Sequence, residues 1–175
     1  MRIELDRLQE TGDRFAHRYE PEELVLDDEH ARLTGPPEVT GRVSRSGHEV
    51  RLRGMITARA EVDCDRCLKA VETPVETEFD VTYVPEEDYR ASEAAELRGE
   101  DLSLSVFDGE TIDLDELVRE QLLLALPTRA LCTEECKGLC PTCGADRNAD
   151  AACGCETKEV DPRWAGLLKA VKSDE

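Results

Sequence analysis

Apolar and polar side chains alternate strictly through the middle of the chain. From residue 50 to residue 64 the apolar and small residues hold the even positions, and from residue 71 to residue 83 they hold the odd positions. A period of two residues is typical of a half-buried strand. The short segment 65–70 between the two runs predicts an antiparallel hairpin, and a strand around residues 39–43 is expected to join it through the Ser46-Gly47 turn.

The opposite parity of the two runs predicts which charged side chains meet. When the apolar faces are paired, arginines of the first run lie beside glutamates of the second, and Arg59 is expected near Glu76 or Glu78. Such cross-strand pairs contribute about 0.2–1 kcal/mol each. Pro74 has no N–H to donate, so the second strand should be bulged at Pro74 or lie at an edge of the sheet there.

A helix with clear start and stop signals is predicted at residues 114–126. Asp113 is a candidate N-cap, Glu116 completes a capping box, and Ile112 and Leu117 are spaced as a hydrophobic staple. Pro127 ends the run. The apolar stripe, which is expected to cover the sheet, consists of Leu114, Leu117, Val118, Leu122 and Ala125.

The remaining segments complete an α+β architecture. The weak alternation in residues 1–35 favours short strands or an amphipathic turn, and the acidic segment 84–110 favours a mobile loop with one short strand at 102–107. Asp161 and Pro162 predict a last helix at 161–172. The predicted fold is an antiparallel β-meander or partial barrel (residues 1–131) covered by the amphipathic helix, with a cysteine-rich zinc-binding module and a docked C-terminal helix (residues 132–175).

Composition and charge exclude several classes of protein. The chain has 175 residues and a formal net charge of −19. It contains no apolar run long enough for a transmembrane helix, and its charged N-terminus shows no signal peptide. A cytoplasmic protein is therefore expected, and the overall charge disfavours non-specific binding to nucleic acid or to anionic membranes.

Eight cysteines in four close pairs are the strongest chemical signal. In a reducing compartment such clusters are more often metal ligands than disulfides. Four pairs supply the ligands of two tetrahedral four-thiolate zinc sites. The predicted metal ligands are Cys64 and Cys67 (CDRC), Cys132 and Cys136 (CTEEC), Cys140 and Cys143 (CPTC), and Cys153 and Cys155 (CGC).

The spacing favours one assignment of these pairs. CPTC and CGC together form a compact C-x2-C-x9-C-x-C cage, in which Gly144 provides for a positive φ. The other two pairs would form a second site that staples the C-terminal segment to the hairpin tip. Two other partitions of the pairs remain open, because four ligands per ion is the only firm constraint.

Other uses of the cysteines are weaker hypotheses. Thioredoxin-like chemistry needs its dithiol between a strand and a helix of a βαβ unit, whereas CDRC lies in a hairpin and CPTC in a loop. A catalytic zinc needs an open position, and eight thiolates close two sites. His17, His30 and His48 are scattered without ligand spacing, and no nucleophile or phosphate-loop motif is present. Inert thiols and a zinc-handling protein remain as alternatives.

Charge is unevenly distributed along the chain. Residues 72–116 contain 16 acidic and 2 basic residues, which is typical of a solvated face or of a docking surface for a basic partner. Residues 42–69 have a small basic excess that could contact RNA. Its basic residues are Arg42, Arg45, Arg51, Arg53, Arg59, Arg66 and Lys69.

The order of the motifs resembles one known family. CDRCL, IDLDELVREQLLLALP, LCTEECKGLCPTCGADRN, CGC and DPRW follow one another as in the bacterial YceD family, the large ribosomal RNA subunit accumulation proteins. The resemblance implies a cytoplasmic role in large-subunit ribosomal RNA accumulation, without an established catalytic activity, and its full cysteine set matches all eight positions here. We therefore expect a non-enzymatic, zinc-stabilised assembly factor whose partner is a large-subunit ribosomal protein or pre-rRNA, with a zinc buffer or donor and a thiol oxidoreductase as alternatives.

Overall fold

The computed structural model describes residues 1–5, 12–92, 103–149 and 153–155. These residues form eight strands and two helices in an α+β arrangement. In chain order they are β1 (Arg2–Glu4), β2 (Asp13–Arg18), β3 (Ala31–Leu33), β4 (Glu38–Ser46), β5 (Glu49–Asp63), β6 (Ala70–Pro85), α1 (Glu86–Ser92), β7 (Leu104–Phe107), β8 (Thr111–Asp113) and α2 (Leu114–Ala125).

A six-stranded sheet organises the molecule. Its strands follow the order β2-β4-β5-β6-β7, and β3 pairs with β5 beyond the end of β4. The long β5–β6 hairpin and the β4–β5 hairpin confirm the predicted antiparallel meander. The strand predicted at 102–107 is present as β7, but β7 runs parallel to β6 rather than extending the meander. β1 and β8 form a separate antiparallel pair.

The register of the hairpin confirms the parity argument but not every pair drawn from it. Arg51 and Arg53 both contact Asp80 on β6, so first-strand arginines do meet second-strand carboxylates. Arg59 is not directly opposite either glutamate, because the six-residue loop aligns Asp63 with Ala70 and sets Arg59 opposite Pro74; Glu76, opposite Thr57, is its diagonal neighbour. Pro74 lies in the part of β6 that pairs only with β5 among the described strands, as expected of a proline at an edge.

The core lies between the inner face of the sheet and α2. Even-numbered side chains of β5 such as Leu52 and Ile56 are fully buried, and so is Leu114 at the start of α2. The Asp113 side chain caps α2 by accepting hydrogen bonds from the backbone N–H groups of Asp115 and Glu116, and the helix ends at Ala125, before Pro127. The predicted helix, its N-cap and its buried stripe are therefore confirmed.

Two glycines make room for aromatic rings inside the sheet. Phe15, Gly41, Gly54 and Phe79 lie opposite one another on four neighbouring strands. A Cβ added to Gly54 would lie 2.2 Å from the carbonyl oxygen of Thr40 and 2.7 Å from the Phe79 ring. Such contacts are far inside van der Waals distance, so the close approach of β4 and β5 requires glycine at this position.

Several elements differ from the expectations or lie outside them. α1 begins directly after β6, inside the segment expected to be a loop, whereas β1, β2 and β3 are short strands of the kind expected in residues 1–35. Leu24 and Leu26 are buried in a segment without strand structure, which fits the amphipathic-turn alternative. The helix predicted at 161–172 lies outside the described residues. Neither described helix has the length and apolar character needed to cross a bilayer.

Substitution at Gly54 tests the close packing of β4 against β5. Substitution of Gly54 by alanine is expected to lower the free energy of unfolding by about 2–3 kcal/mol, because the added methyl group must displace backbone on the neighbouring strand. Gly35 is the matched control, since a Cβ added there meets no atom within 4 Å. Gly35→Ala should leave stability unchanged or raise it by up to about 1 kcal/mol. Denaturant unfolding measures both; equal stability of the two variants would contradict the packing account.

Candidate metal centres

Four sulfur atoms meet where the tip of the β5–β6 hairpin contacts the segment after α2. Cys64 and Cys67 belong to the hairpin turn, and Cys132 and Cys136 belong to the later segment. Their sulfurs all lie within 4.8 Å of one another. Cys64 Sγ is 3.9 Å from Cys136 Sγ, and Cys67 Sγ is 3.6 Å from Cys132 Sγ. We refer to these four residues as the hairpin site.

The hairpin site has the dimensions of a tetrahedral thiolate centre. Zinc–sulfur bonds of about 2.3 Å place the sulfurs of a regular tetrahedron about 3.8 Å apart. The two measured distances, 3.6 and 3.9 Å, lie on either side of that value. Three of the four cysteines are buried, with only Cys132 exposed. The donor set and the spacing therefore suit a four-coordinate metal ion.

The other four cysteines form a second group. The sulfurs of Cys140, Cys143, Cys153 and Cys155 also lie within 4.8 Å of one another. Only Cys140 of these four cysteines is buried, against three of four in the hairpin site, so this group opens more to solvent. We refer to it as the outer site. The four cysteine pairs can be divided between two sites in three ways. The structure brings together CDRC with CTEEC and CPTC with CGC.

The two Cys-x-x-Cys turns share one backbone structure. The Leu68 N–H donates to the Cys64 carbonyl at 2.8 Å, and the Gly144 N–H donates to the Cys140 carbonyl at 2.9 Å. The Cys64 and Cys140 N–H groups each donate to the carbonyl five residues later, at 2.9 and 2.8 Å. The residue after the second cysteine has a positive φ in both turns, 59° at Leu68 and 73° at Gly144. The sequence predicted the positive φ at Gly144 but not at Leu68.

Backbone N–H groups are directed at the first sulfur of each Cys-x-x-Cys pair. The N–H of Cys132, with those of Arg66 and Cys67, lowers the pKa of the Cys64 thiol to about 6. The N–H groups of Cys143 and Thr142 lower the pKa of Cys140 to about 6. A lowered pKa favours the thiolate, which is the form of cysteine that binds metal. These N–H groups thus stabilise negative charge on the first sulfur of each turn, Cys64 and Cys140.

Hydrogen bonds from the hairpin turn position the later segment. The Asp65 N–H donates to the Ala130 carbonyl at 2.9 Å, and the Asp65 carboxylate accepts from the Ala130 N–H at 3.0 Å. Arg66 Nη1 donates to the Cys136 carbonyl at 2.6 Å, and the Arg66 carbonyl accepts from the Leu139 N–H at 2.9 Å. The two residues between the cysteines of CDRC therefore bind backbone close to Cys132 and Cys136.

Asn148 and Asp146 support the hairpin site from outside. The Asn148 Nδ2 group donates to Cys136 Sγ at 3.4 Å, and its Oδ1 accepts from the Lys137 N–H at 2.7 Å. Asp146 forms an ion pair with Lys69 of the hairpin turn at 2.7 Å. Sequence reasoning missed these roles because an isolated asparagine in a loop carries no spacing signal. The roles of Asp65 and Arg66 were better signalled, because both residues lie inside the CDRC motif.

The other predicted features lie apart from the sulfur clusters. His17, His30 and His48 are near Glu23, Asp63 and Asp88 respectively, and neither four-cysteine group includes a histidine. Both Cys-x-x-Cys pairs lie in turns, and neither leads into a described helix. The setting that supports dithiol redox chemistry, a pair at the start of a helix in a βαβ unit, is not found among the described residues.

Comparison with known proteins identifies relatives along most of the chain. A family model described as "Large ribosomal RNA subunit accumulation protein YceD" matches residues 52–169. An uncharacterized protein of Mycobacterium tuberculosis is 31% identical over 147 residues, which cover 84% of this chain and 66% of that protein. A chloroplastic large ribosomal RNA subunit accumulation protein YCED homolog 1 of Zea mays is 31% identical over 159 residues, covering 78% of this chain and 54% of the maize protein.

The match to a Bacillus subtilis protein covers most of both proteins. Uncharacterized protein YlbN is 27% identical over 164 residues, covering 92% of this chain and 89% of its own length. The chain thus spans slightly less than two thirds of the mycobacterial relative and about half of the maize relative. No solved structure matches the chain.

The shared turn structure predicts how position 68 responds to substitution. A non-glycine residue at positive φ is strained by about 1–2 kcal/mol, and Leu68 is 59% exposed, so little packing compensates for that strain. Leu68→Gly should therefore change the free energy of unfolding by less than about 1 kcal/mol, because the relief of strain offsets the greater freedom of the unfolded chain. Leu68→Val should lower it by about 1–2 kcal/mol, since a β-branched residue tolerates this φ poorly. Thermal unfolding of both variants tests this, and a more stable Leu68→Val would contradict the assigned turn.

Proposed function

Because the chain belongs to the YceD family of large ribosomal RNA subunit accumulation proteins, we propose that it is a non-enzymatic, zinc-binding factor that supports accumulation and processing of large-subunit ribosomal RNA. The observation that carries the proposal is the family match over residues 52–169, which contains all eight cysteines. It would act where ribosomes are assembled, which for a bacterial chain is the cytoplasm.

The role proposed for the metal is structural. Cys64, Cys67, Cys132 and Cys136 would hold one Zn²⁺, and Cys140, Cys143, Cys153 and Cys155 the other. Four thiolates complete the tetrahedral coordination of zinc and leave no position for a substrate or a catalytic water. Bound zinc would supply strong bonds between segments, and the residues of this chain would supply the negative charge and the oriented N–H groups that stabilise it.

The partner is proposed to be a large-subunit ribosomal protein, pre-rRNA, or both. Acidic side chains are exposed on β6 at Glu72, Glu76 and Glu78 and on α1 at Glu87 and Asp88. Ribosomal proteins are rich in basic residues that neutralise RNA, so such a surface would hold or shield a basic protein before assembly. Arginines on the opposite strands of the same sheet offer a contact for RNA.

A zinc-handling protein is the second candidate, and the exposure of Cys143 in the outer site favours it. A buffer or donor must release its ion while the protein remains folded, whereas a structural ion leaves only with unfolding. Incubation of the folded protein with a chelator therefore separates the two functions. Loss of zinc without loss of circular dichroism would support zinc handling.

Metal stoichiometry provides the first test of the sites. The purified protein is expected to contain two zinc ions per chain, and Cys64→Ser and Cys140→Ser should each contain one. Cys64→Ser should also lose more thermal stability, because the hairpin site joins distant parts of the chain. Thr142→Ser is the matched control inside the CPTC turn and should retain both ions. Elemental analysis with thiol titration measures this; eight reactive thiols and no zinc in the native protein would contradict the proposal.

Depletion of the protein in its own host tests the function. The ratio of large-subunit to small-subunit ribosomal RNA should fall and return when the wild-type chain is expressed. Cys64→Ser expressed at an equal level should restore it poorly, whereas Thr142→Ser should restore it fully. An unchanged ratio after depletion would contradict the proposed function.

A further inference from the structure

Three arginines lie directly opposite one another on the exposed face of the sheet. Arg14 on β2 pairs with Arg42 on β4, and Arg42 pairs with Arg53 on β5. All three side chains are exposed. Neighbouring strands are about 4.8 Å apart, so the backbones that carry these three arginines lie within about 10 Å of one another. Arg51, two residues from Arg53 on β5, points to the same face. We refer to these four residues as the arginine row.

The arginine row has far less negative charge than positive charge. Arg51 donates to both carboxylate oxygens of Asp80 at 2.7 and 2.8 Å, and Arg53 contacts the same carboxylate at 2.9 Å. The two arginines hold the pKa of Asp80 at about 2, so the carboxylate stays charged. Arg14 and Arg42 form no ion pair with any described residue. Among the described residues, one carboxylate thus pairs with two of the four guanidinium groups, while Glu49 and Glu78 lie beside the row on the same face.

Such an arrangement is unfavourable for the folded protein alone. Like charges directly opposite each other on a sheet destabilise it. Elsewhere on the sheet, exposed arginines do have carboxylate partners: Arg18 pairs with Glu38 at 3.2 Å and Arg32 with Glu61 at 2.5 Å. With an excess of 19 negative charges in the chain, carboxylates for the row would be easy to supply. A row of facing arginines in which Arg14 and Arg42 have no ion pair with a described residue therefore indicates an external anion.

The side-chain chemistry identifies the class of anion. The seven basic residues of β2, β4 and β5 are all arginine and none is lysine. Arginine presents a planar fork that binds phosphate oxygens in pairs, whereas lysine acts as a point charge. A row of guanidinium groups across neighbouring strands matches a ligand with successive phosphates along a chain. Glu76 and Glu78 on β6 would repel such a ligand and confine it to the β2–β4–β5 side.

We infer that the arginine row binds the phosphate backbone of an RNA strand. This deepens the proposed function, on which it rests, by naming RNA as a direct partner and by giving it a location. Asp80 then tunes the site, since it neutralises part of the charge of Arg51 and Arg53 until RNA competes for them. The rest of the acidic surface limits binding to this face and keeps non-specific affinity low.

Titration of a fluorescently labelled, mixed-sequence single-stranded RNA of about 20 nucleotides tests the inference, with a site size of that order expected for one groove. Each phosphate contact on a single strand contributes a salt slope of about −0.7, or about fivefold in affinity at 0.1 M salt. Arg14→Gln/Arg42→Gln should therefore weaken binding about 25-fold and reduce the slope by about 1.4. Asp80→Asn should tighten binding several-fold.

A matched control excludes a general effect of net charge. Arg18→Gln/Arg32→Gln changes the net charge by the same amount but removes arginines that already have carboxylate partners. It should bind RNA within twofold of the wild type, and circular dichroism should show that both double variants are folded. Equal RNA affinity of Arg14→Gln/Arg42→Gln and the wild type would overturn the inference. Absence of RNA binding by the wild type would also overturn it. So would a result in which Arg14→Gln/Arg42→Gln loses binding to a glutamate-rich peptide rather than to RNA.

Complementation distinguishes failure of this inference from failure of the proposed function. In depleted cells Arg14→Gln/Arg42→Gln should fail to restore the ratio of large-subunit to small-subunit ribosomal RNA, while Arg18→Gln/Arg32→Gln should restore it. Full restoration by the first variant would overturn the inference and leave the function standing. If depletion does not change the ratio, the function fails, and RNA titration alone decides the inference.

Discussion

The contact between the tip of the β5–β6 hairpin and the segment carrying Cys132 and Cys136 is the constraint on which the placement of residues 130–149 depends. Cys67 and Cys132 are 65 residues apart in sequence, and closing such a loop costs about 4 kcal/mol of chain entropy. The apolar cluster at the contact is small, with Val71, Leu131 and Leu139 around three buried cysteines. The partly exposed hydrogen bonds at this contact contribute about 0.5–1.5 kcal/mol each. They therefore fix the geometry of the contact but add little to its stability. Bonds from four thiolates to one ion would supply the missing stabilisation.

The two faces of the sheet serve different ends. The inner face holds the core, and the facing glycines Gly41 and Gly54 let two phenylalanine rings pack where β4 and β5 approach closely. The outer face separates charge, with arginines on β2, β4 and β5 and carboxylates on β6. Because side chains alternate between faces, the register that buries the apolar positions also aligns the arginines in a row. Core packing and the proposed RNA surface thus depend on one alignment of strands.

The parts of this structure that could be predicted are those encoded over short distances. The alternation of apolar and polar residues predicted the hairpin. Asp113 and Pro127 predicted the start and end of α2, and the spacing of the cysteines predicted their division into pairs. The parallel pairing of β7 with β6 could not be predicted, because its register depends on a long connection rather than a turn. The arginine row was only a basic excess in the sequence, since Arg14 lies 28 residues before Arg42 and becomes its neighbour through β2–β4 pairing. The positive φ of Leu68 could not be predicted either. The CDRC turn has the same backbone structure as the CPTC turn, but it has leucine where CPTC is followed by glycine.

Zinc K-edge X-ray absorption of the purified, unmodified protein tests the central claim most directly, because it reports which atoms surround the metal in the native state. The account predicts a first shell of four sulfur atoms at about 2.3 Å for both ions, with no nitrogen or oxygen ligand. A shell that contains nitrogen or oxygen would mean an open or histidine-containing site, and a native protein without zinc would mean that other forces hold the hairpin tip to the segment after α2. Either result would contradict the proposal that two closed thiolate centres stabilise this fold.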